Sequence, residues 1–158
     1  MVDTTPRPYL QVQPGYLVRR LQQAAVALFM ARTAEQAITP VQFAALIATH
    51  EQPGLDQRTL ADTIGFDTST IGGVIDRLER RGLIQRNLAP HDRRVRLLTL
   101  TPAGESLLAD VLPGVRATQE LILAPLPEAD RPVFMAMLNK LVEGHAGLPP
   151  GHTPDSTD

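Results

Sequence analysis

The chain contains no cysteine, which removes disulfides, thiolate metal sites, thiol nucleophiles and sulfur-based oxidation sensing together. It also lacks any apolar run approaching the roughly 20 residues that cross a bilayer. Its opening stretch, MVDTTPRPYLQVQPG, has none of the basic-then-apolar layout of a secretory signal. A cytoplasmic protein with no membrane partner is therefore expected. Catalytic signatures are missing as well. Ser69, Ser106, Ser156 and the His91-Asp92 pair do not cluster by helical spacing, and there is no nucleophile elbow, phosphate-binding glycine loop or metal motif. His50, His91, His145 and His152 are widely separated, with no pair at i, i+3 or i, i+4, so no helix face offers two imidazoles to a metal. The expectation is a protein that is not an enzyme and carries no cofactor.

What is present is a chain of 158 residues, 43% hydrophobic and 20% charged, enough to bury one core and too short for two of ordinary size. The net charge of −2 argues on its face against a nucleic-acid partner. The average conceals a cluster: arginines 77, 80, 81, 86, 93, 94 and 96 face only Glu79 and Asp92 between positions 77 and 96. Phosphate responds to such a local patch, because charges beyond about 10 Å are screened.

Pro6, Pro8, Pro14 and Gly15 predict an irregular arm over residues 1–15. Leu17, Leu21, Ala24, Ala25 and Leu28 then recur at helical spacing, predicting a helix from Tyr16 to about Glu35. Thr39-Pro40 caps a second helix that runs to about His50 and stops before Pro53-Gly54. Asp56 caps a short third helix closed by Gly65, and Asp67-Thr68-Ser69 opens a fourth that reaches Arg81 and ends at Gly82. Two short helices joined by a glycine-containing turn make a helix-turn-helix. Leu83–Arg86 and Val95–Leu100 predict a hairpin with a basic tip. Thr101-Pro102 starts a helix expected to kink or break at Pro113-Gly114 and to resume to about Leu123. A last helix spans Glu128 to about Glu143, and the tail, residues 146–158, is expected to be disordered.

The fold class expected is mainly α with a small β-hairpin wing, the lobe occupying residues 39–101. A recognition helix places its N-terminal part in the major groove, where short polar side chains meet base edges and phosphates. Thr68, Ser69, Thr70, Gly72 and Gly73 suit that place, Arg77 reaches a phosphate or base, and Gln57, Arg58 and Thr59 hold the backbone. The tip His91-Asp92-Arg93-Arg94, with Arg96 behind it, suits an adjacent minor groove. Asp92 is expected to orient Arg94 or Arg77 by a charge-assisted bond rather than to touch DNA.

Taken together, ITPVQFAALIATHE, LDQRTLADTIGFDTSTIGGVIDRLERRGLIQR and HDRRVRLLTLTPAG resemble the MarR family of winged-helix regulators. The Asp-x-Arg of that family's wing falls on Asp92 and Arg94, and its Leu-Thr-x-x-Gly on Leu100, Thr101 and Gly104. The resemblance implies a homodimer held by helices in 16–38 and 102–145, bound to double-stranded DNA at an inverted repeat. It further implies a repressor released by a small molecule, often an aromatic acid. The apolar faces of the outer helices, Leu121, Ile122, Leu123, Phe134, Met135 and Met137 among them, fit such a dimer. For an anionic aromatic effector the candidates are Arg19 and Arg20 as cations, with Tyr9, Tyr16, Phe29, Phe43 and His50 as walls. Taken singly, Phe29 and Phe43 read as core, and Arg19 and Arg20 as partners of acidic neighbours. A winged-helix module that binds DNA constitutively, or that binds protein, is the alternative reading.

Overall fold

A computed structural model describes residues 8–92 and 94–148. The expectations for residues 1–7, for Arg93 in the wing and for the tail from 149 onward lie outside the described residues. Six helices and one hairpin follow in the order α1 (Pro14–Arg32), α2 (Pro40–Glu51), α3 (Gln57–Ile64), α4 (Thr68–Arg80), β1 (Ile84–Leu88), β2 (Arg96–Leu100), α5 (Pro102–Leu123) and α6 (Arg131–Gly144). Short 3-10 turns precede α1 and α6 and follow α1. No described helix is long and apolar enough to cross a membrane.

Helix starts follow from their caps. The Thr39 side chain accepts from the Gln42 amide and the Gln42 side chain from the Thr39 amide, a reciprocal pair that satisfies two otherwise orphaned donors. Asp56, Asp67 and Thr101 each accept from the third amide of α3, α4 and α5. Gly65 and Gly82 take left-handed backbone angles at the ends of α3 and α4, where a Cβ would be strained. Between α2, α3, α4 and the hairpin lies one core, in which Ile38, Leu46, Leu60, Ile71, Ile75 and Leu78 are fully buried. The strands pair antiparallel with Ile84 opposite Leu100 and Leu88 opposite Arg96.

At their ends the long helices depart from expectation in three places. The first begins at Pro14 rather than Tyr16, since a proline in the first turn gives up no hydrogen bond. It ends at Arg32, where both the amide and the hydroxyl of Thr33 turn back to the Phe29 carbonyl. The last opens with a 3-10 turn over Glu128–Asp130 before α6 starts at Arg131.

The largest departure is that α5 runs through Pro113 without a break, one of the two outcomes the sequence predicts there. The proline leaves the Ala109 carbonyl without its helical donor, on a stretch of α5 where Ala109 and Pro113 are both exposed. Gly114 next to it has a different task. A Cβ there would lie 2.5 Å from the Arg32 carbonyl oxygen, so glycine lets the end of α1 cross close over α5.

Gly104 makes the equivalent close approach at the other end of α5, where a Cβ would meet the Leu83 carbonyl oxygen at 2.1 Å. That carbonyl accepts from the Thr101 amide, and the Thr101 hydroxyl bonds the Gly82 carbonyl. The lobe and the long helix are thus joined backbone to backbone.

Candidate nucleic-acid interface and effector region

The two helices of the helix-turn-helix are tied at their starts. Gln57 Nε2 donates to the Thr68 carbonyl at 3.0 Å, and a Cβ on Gly72 would lie 2.9 Å from that nitrogen. Gly72 therefore gives its space to Gln57 within the protein, and Gln57 is a bridge between α3 and α4. Thr59 donates its amide to Asp56, which holds the Asp56 carboxyl below its ordinary range. Arg58 and Thr59 are exposed beside this start.

Thr68, Ser69 and Thr70 are exposed on the first turn of α4. Asp67 takes the Ser69 hydroxyl at 2.5 Å, the Thr70 amide at 2.8 Å and the Thr70 hydroxyl at 2.5 Å. The Ser69 and Thr70 hydroxyls, then the Thr70 amide, hold its carboxyl far below the usual carboxylate range. At Gly73 the Arg77 guanidinium lies 3.8 Å from where a Cβ would stand, an ordinary contact distance, so an alanine would also fit there.

The arginine cluster divides by role, which sequence alone does not show. Arg86 on β1 forms ion pairs with Asp76, at 2.5 Å, and with Glu79, both on α4. Partial burial works against its charge and the two carboxylates outweigh that, so its pKa is raised. It locks the wing to the recognition helix. Arg81 donates to the Ala37 and Gln36 carbonyls at 2.9 and 3.1 Å, tying the end of α4 to the turn after α1. Arg80 bonds the Asp76 carbonyl. Arg80 and Arg81 are exposed despite these bonds, and among the described residues Arg58, Arg77, Arg94 and Arg96 are the exposed arginines of the helix-turn-helix and wing whose side chains make no hydrogen bond or ion pair within the chain. Asp92 accepts the backbone amide of Arg94 at 2.9 Å, so it fixes the turn of the wing tip rather than holding either expected guanidinium.

This arrangement matches known proteins. The model of the MarR family matches residues 38–95. The transcriptional repressor NicR of Pseudomonas putida is 30% identical over 90% of this chain and 89% of its own. The chain belongs to the MarR family. Among solved structures, the PcaV regulator of Streptomyces coelicolor in complex with its natural ligand is 36% identical, with a TM-score of 0.79 over 87% of this chain and 97% of that one. BpsR of Bordetella bronchiseptica, whose structure concerns regulation of its DNA binding by 6-hydroxynicotinic acid, is 30% identical, with a TM-score of 0.81 over 87% and 98%. Membership makes this chain a DNA-binding transcriptional regulator and not an enzyme. The MarR-family wing signature, Asp92 and Arg94, and the glycine at 104 thus have physical roles here: a turn lock and a close backbone junction.

The effector candidates of this MarR-family chain fall into two groups. Tyr9 is 82% exposed. Arg19 lies over the Tyr16 ring at 5.4 Å, and Arg20 shares an open recess of about 360 Å³ with Tyr16. Phe29 and Phe43 stack at 6.0 Å with their planes at 52°, and His50 Nδ1 meets Glu105 Oε2 at 2.8 Å. Arg20 precedes Phe29 by nine positions, about 14 Å along α1, so one protomer does not bring cation and aromatic pair into one cavity. Between them lies an apolar groove of about 570 Å³, lined by Val18, Leu21, Ile122, Phe134 and Met135 among others. It shares Gln22, Ala25, Gln119 and Ile122 with a smaller cavity of about 130 Å³ against Phe29. The apolar stripes of α1 and α5 were the available signal for the groove. Gln22 and Gln119 gave none, because a glutamine on a helix face reads as solvated.

Proposed function

We propose that the protein is a homodimeric repressor that binds an inverted-repeat operator and is released by a small aromatic acid. The observation that carries this reading is the apolar groove between α1, α5 and α6 and the smaller cavity adjoining it against Phe29 and Pro40, beside the DNA-binding lobe. NicR is named as a repressor, PcaV is solved with a natural ligand, and the BpsR structure is described by control through a hydroxynicotinic acid. These relatives support the class of effector. In this reading Arg19 or Arg20 meets the carboxylate, and Tyr9, Tyr16, Phe29, Phe43 and His50 supply walls across the dimer. Binding changes the separation of the two lobes, so that both recognition helices no longer enter major grooves about 34 Å apart.

The test is a gel-shift titration against DNA upstream of the protein's own gene, repeated with benzoate-, hydroxybenzoate-, hydroxycinnamate- and nicotinate-type acids. Salt-sensitive binding abolished by one compound is expected. Binding that no member of the panel alters would remove the aromatic acid from the reading.

Base contacts are assigned to Ser69, Thr70 and Arg77, and backbone contacts to Arg58, Thr59, Thr68, Arg93, Arg94 and Arg96, with Gln57, Gly72, Gly73 and Asp92 shaping the surface. Arg94→Ala is expected to weaken binding about tenfold and to lower the slope of log affinity against log salt by about 1.8, one phosphate contact from each of the two wings of the dimer. Equal affinity and slope in the two proteins would take the wing out of the interface.

A further inference from the structure

The two hydroxyls assigned to base reading are not rotating groups. Each hydroxyl has one proton to donate and two lone pairs to accept with. Ser69 Oγ and Thr70 Oγ1 both lie 2.5 Å from oxygens of the Asp67 carboxylate, which in its ionised form can only accept. Both protons are therefore directed at Asp67, and only lone pairs remain toward solvent. The Thr70 amide at 2.8 Å fixes the carboxylate in turn. A group that offers only lone pairs cannot bond a phosphate oxygen. It can bond the amino group of adenine (N6) or cytosine (N4), and it is repelled by guanine O6 or thymine O4.

We propose that Asp67 sets the base preference of the recognition helix by fixing the polarity of Ser69 and Thr70, so that they select amino bases (adenine, cytosine) over keto bases (guanine, thymine) on the strand they face. This rests on the reading of α4 as the base-contacting helix. Asp67 touches no base itself; it is a positioning residue.

Asp67→Asn separates polarity from capping. Its carbonyl oxygen keeps the Thr70 amide and the Ser69 hydroxyl, and Asn caps a helix as well as Asp. Its NH2 replaces the oxygen facing Thr70 Oγ1 and donates to it, so the Thr70 proton turns outward. The experiment is a selection from random duplexes with the wild type, Asp67→Asn and Thr70→Val, each first shown by thermal melting to be folded. Thr70→Val is expected to flatten the preference at one position of each half-site. At that same position Asp67→Asn is expected to exchange amino for keto base, shifting their ratio roughly five- to tenfold. A flattened position in Thr70→Val with an unchanged profile in Asp67→Asn would overturn the proposal and leave the helix assignment standing. No altered position in Thr70→Val would overturn the assignment and the proposal with it. Should Asp67→Asn not fold, the wild-type and Thr70→Val profiles decide. Equal amino and keto base counts at the position Thr70→Val flattens would overturn the proposal.

Discussion

Gly104→Ala is expected to lower the stability of the protein by about 3 kcal/mol, seen as a fall of roughly 6–12 °C in melting temperature. The added methyl would sit 2.1 Å from the Leu83 carbonyl oxygen, and nothing there is a flexible side-chain end that could swing aside. Either α5 moves outward or the segment after α4 moves inward. Both break the bond from the Thr101 amide to that same carbonyl and pull on the Thr101 hydroxyl bonded to Gly82. Gly72→Ala makes the contrast, because its neighbour is the end of the Gln57 side chain and the new residue gains about 1 kcal/mol of helix propensity. Melting curves of the two variants, recorded side by side, decide the matter. Equal midpoints would show that the junction yields without cost.

The double variant Val133→Glu/Leu141→Glu is expected to convert the proposed dimer into folded monomers and to reduce affinity for the proposed operator by about a thousandfold or more, toward the level of non-specific binding. None of the α6 side chains is buried in the single chain, and Val133, Met137 and Leu141, one stripe at i, i+4 and i+8, are 53%, 60% and 57% exposed. Carboxylates on that stripe stay solvated in a monomer and cost its fold little. In a two-fold interface they are buried against their own copies without a partner charge, which is strongly unfavourable. Sedimentation read beside the gel shift tests both halves of the expectation. A variant that remains a dimer of unchanged affinity would remove α6 from the interface.

Local chemistry made the lobe legible and tertiary contact hid the rest. Thr39, Asp56, Asp67 and Thr101 are each read as caps from the chain alone because a cap involves residues three apart. The DNA-facing candidates are contiguous for the same reason. Arg81 and Arg86 look no different in sequence from Arg77 and Arg94, and their roles come from partners the chain does not announce. These are carbonyls 44 and 45 residues away for the first and two carboxylates on another element for the second. Pro113 misleads as to a break, because the rule for an interior proline says nothing of how exposed the surrounding helix is. The effector residues are the least legible. Phe29 and Phe43 meet as expected of core residues, while the space beside them is assembled from three helices far apart in sequence.

The grip of Arg81 on the Gln36 and Ala37 carbonyls turns the recognition helix into a lever with its fulcrum at the far end from the DNA-reading turn. Thirteen residues span about 20 Å. A rotation of about 10° about that fulcrum leaves Arg81 in place and carries Thr68, Ser69 and Thr70 sideways by roughly 3 Å, close to the spacing of successive bases along one strand. Ile71 and Ile75 are fully buried on the same helix, so a swing of this size is open to α4 only together with the core it packs on.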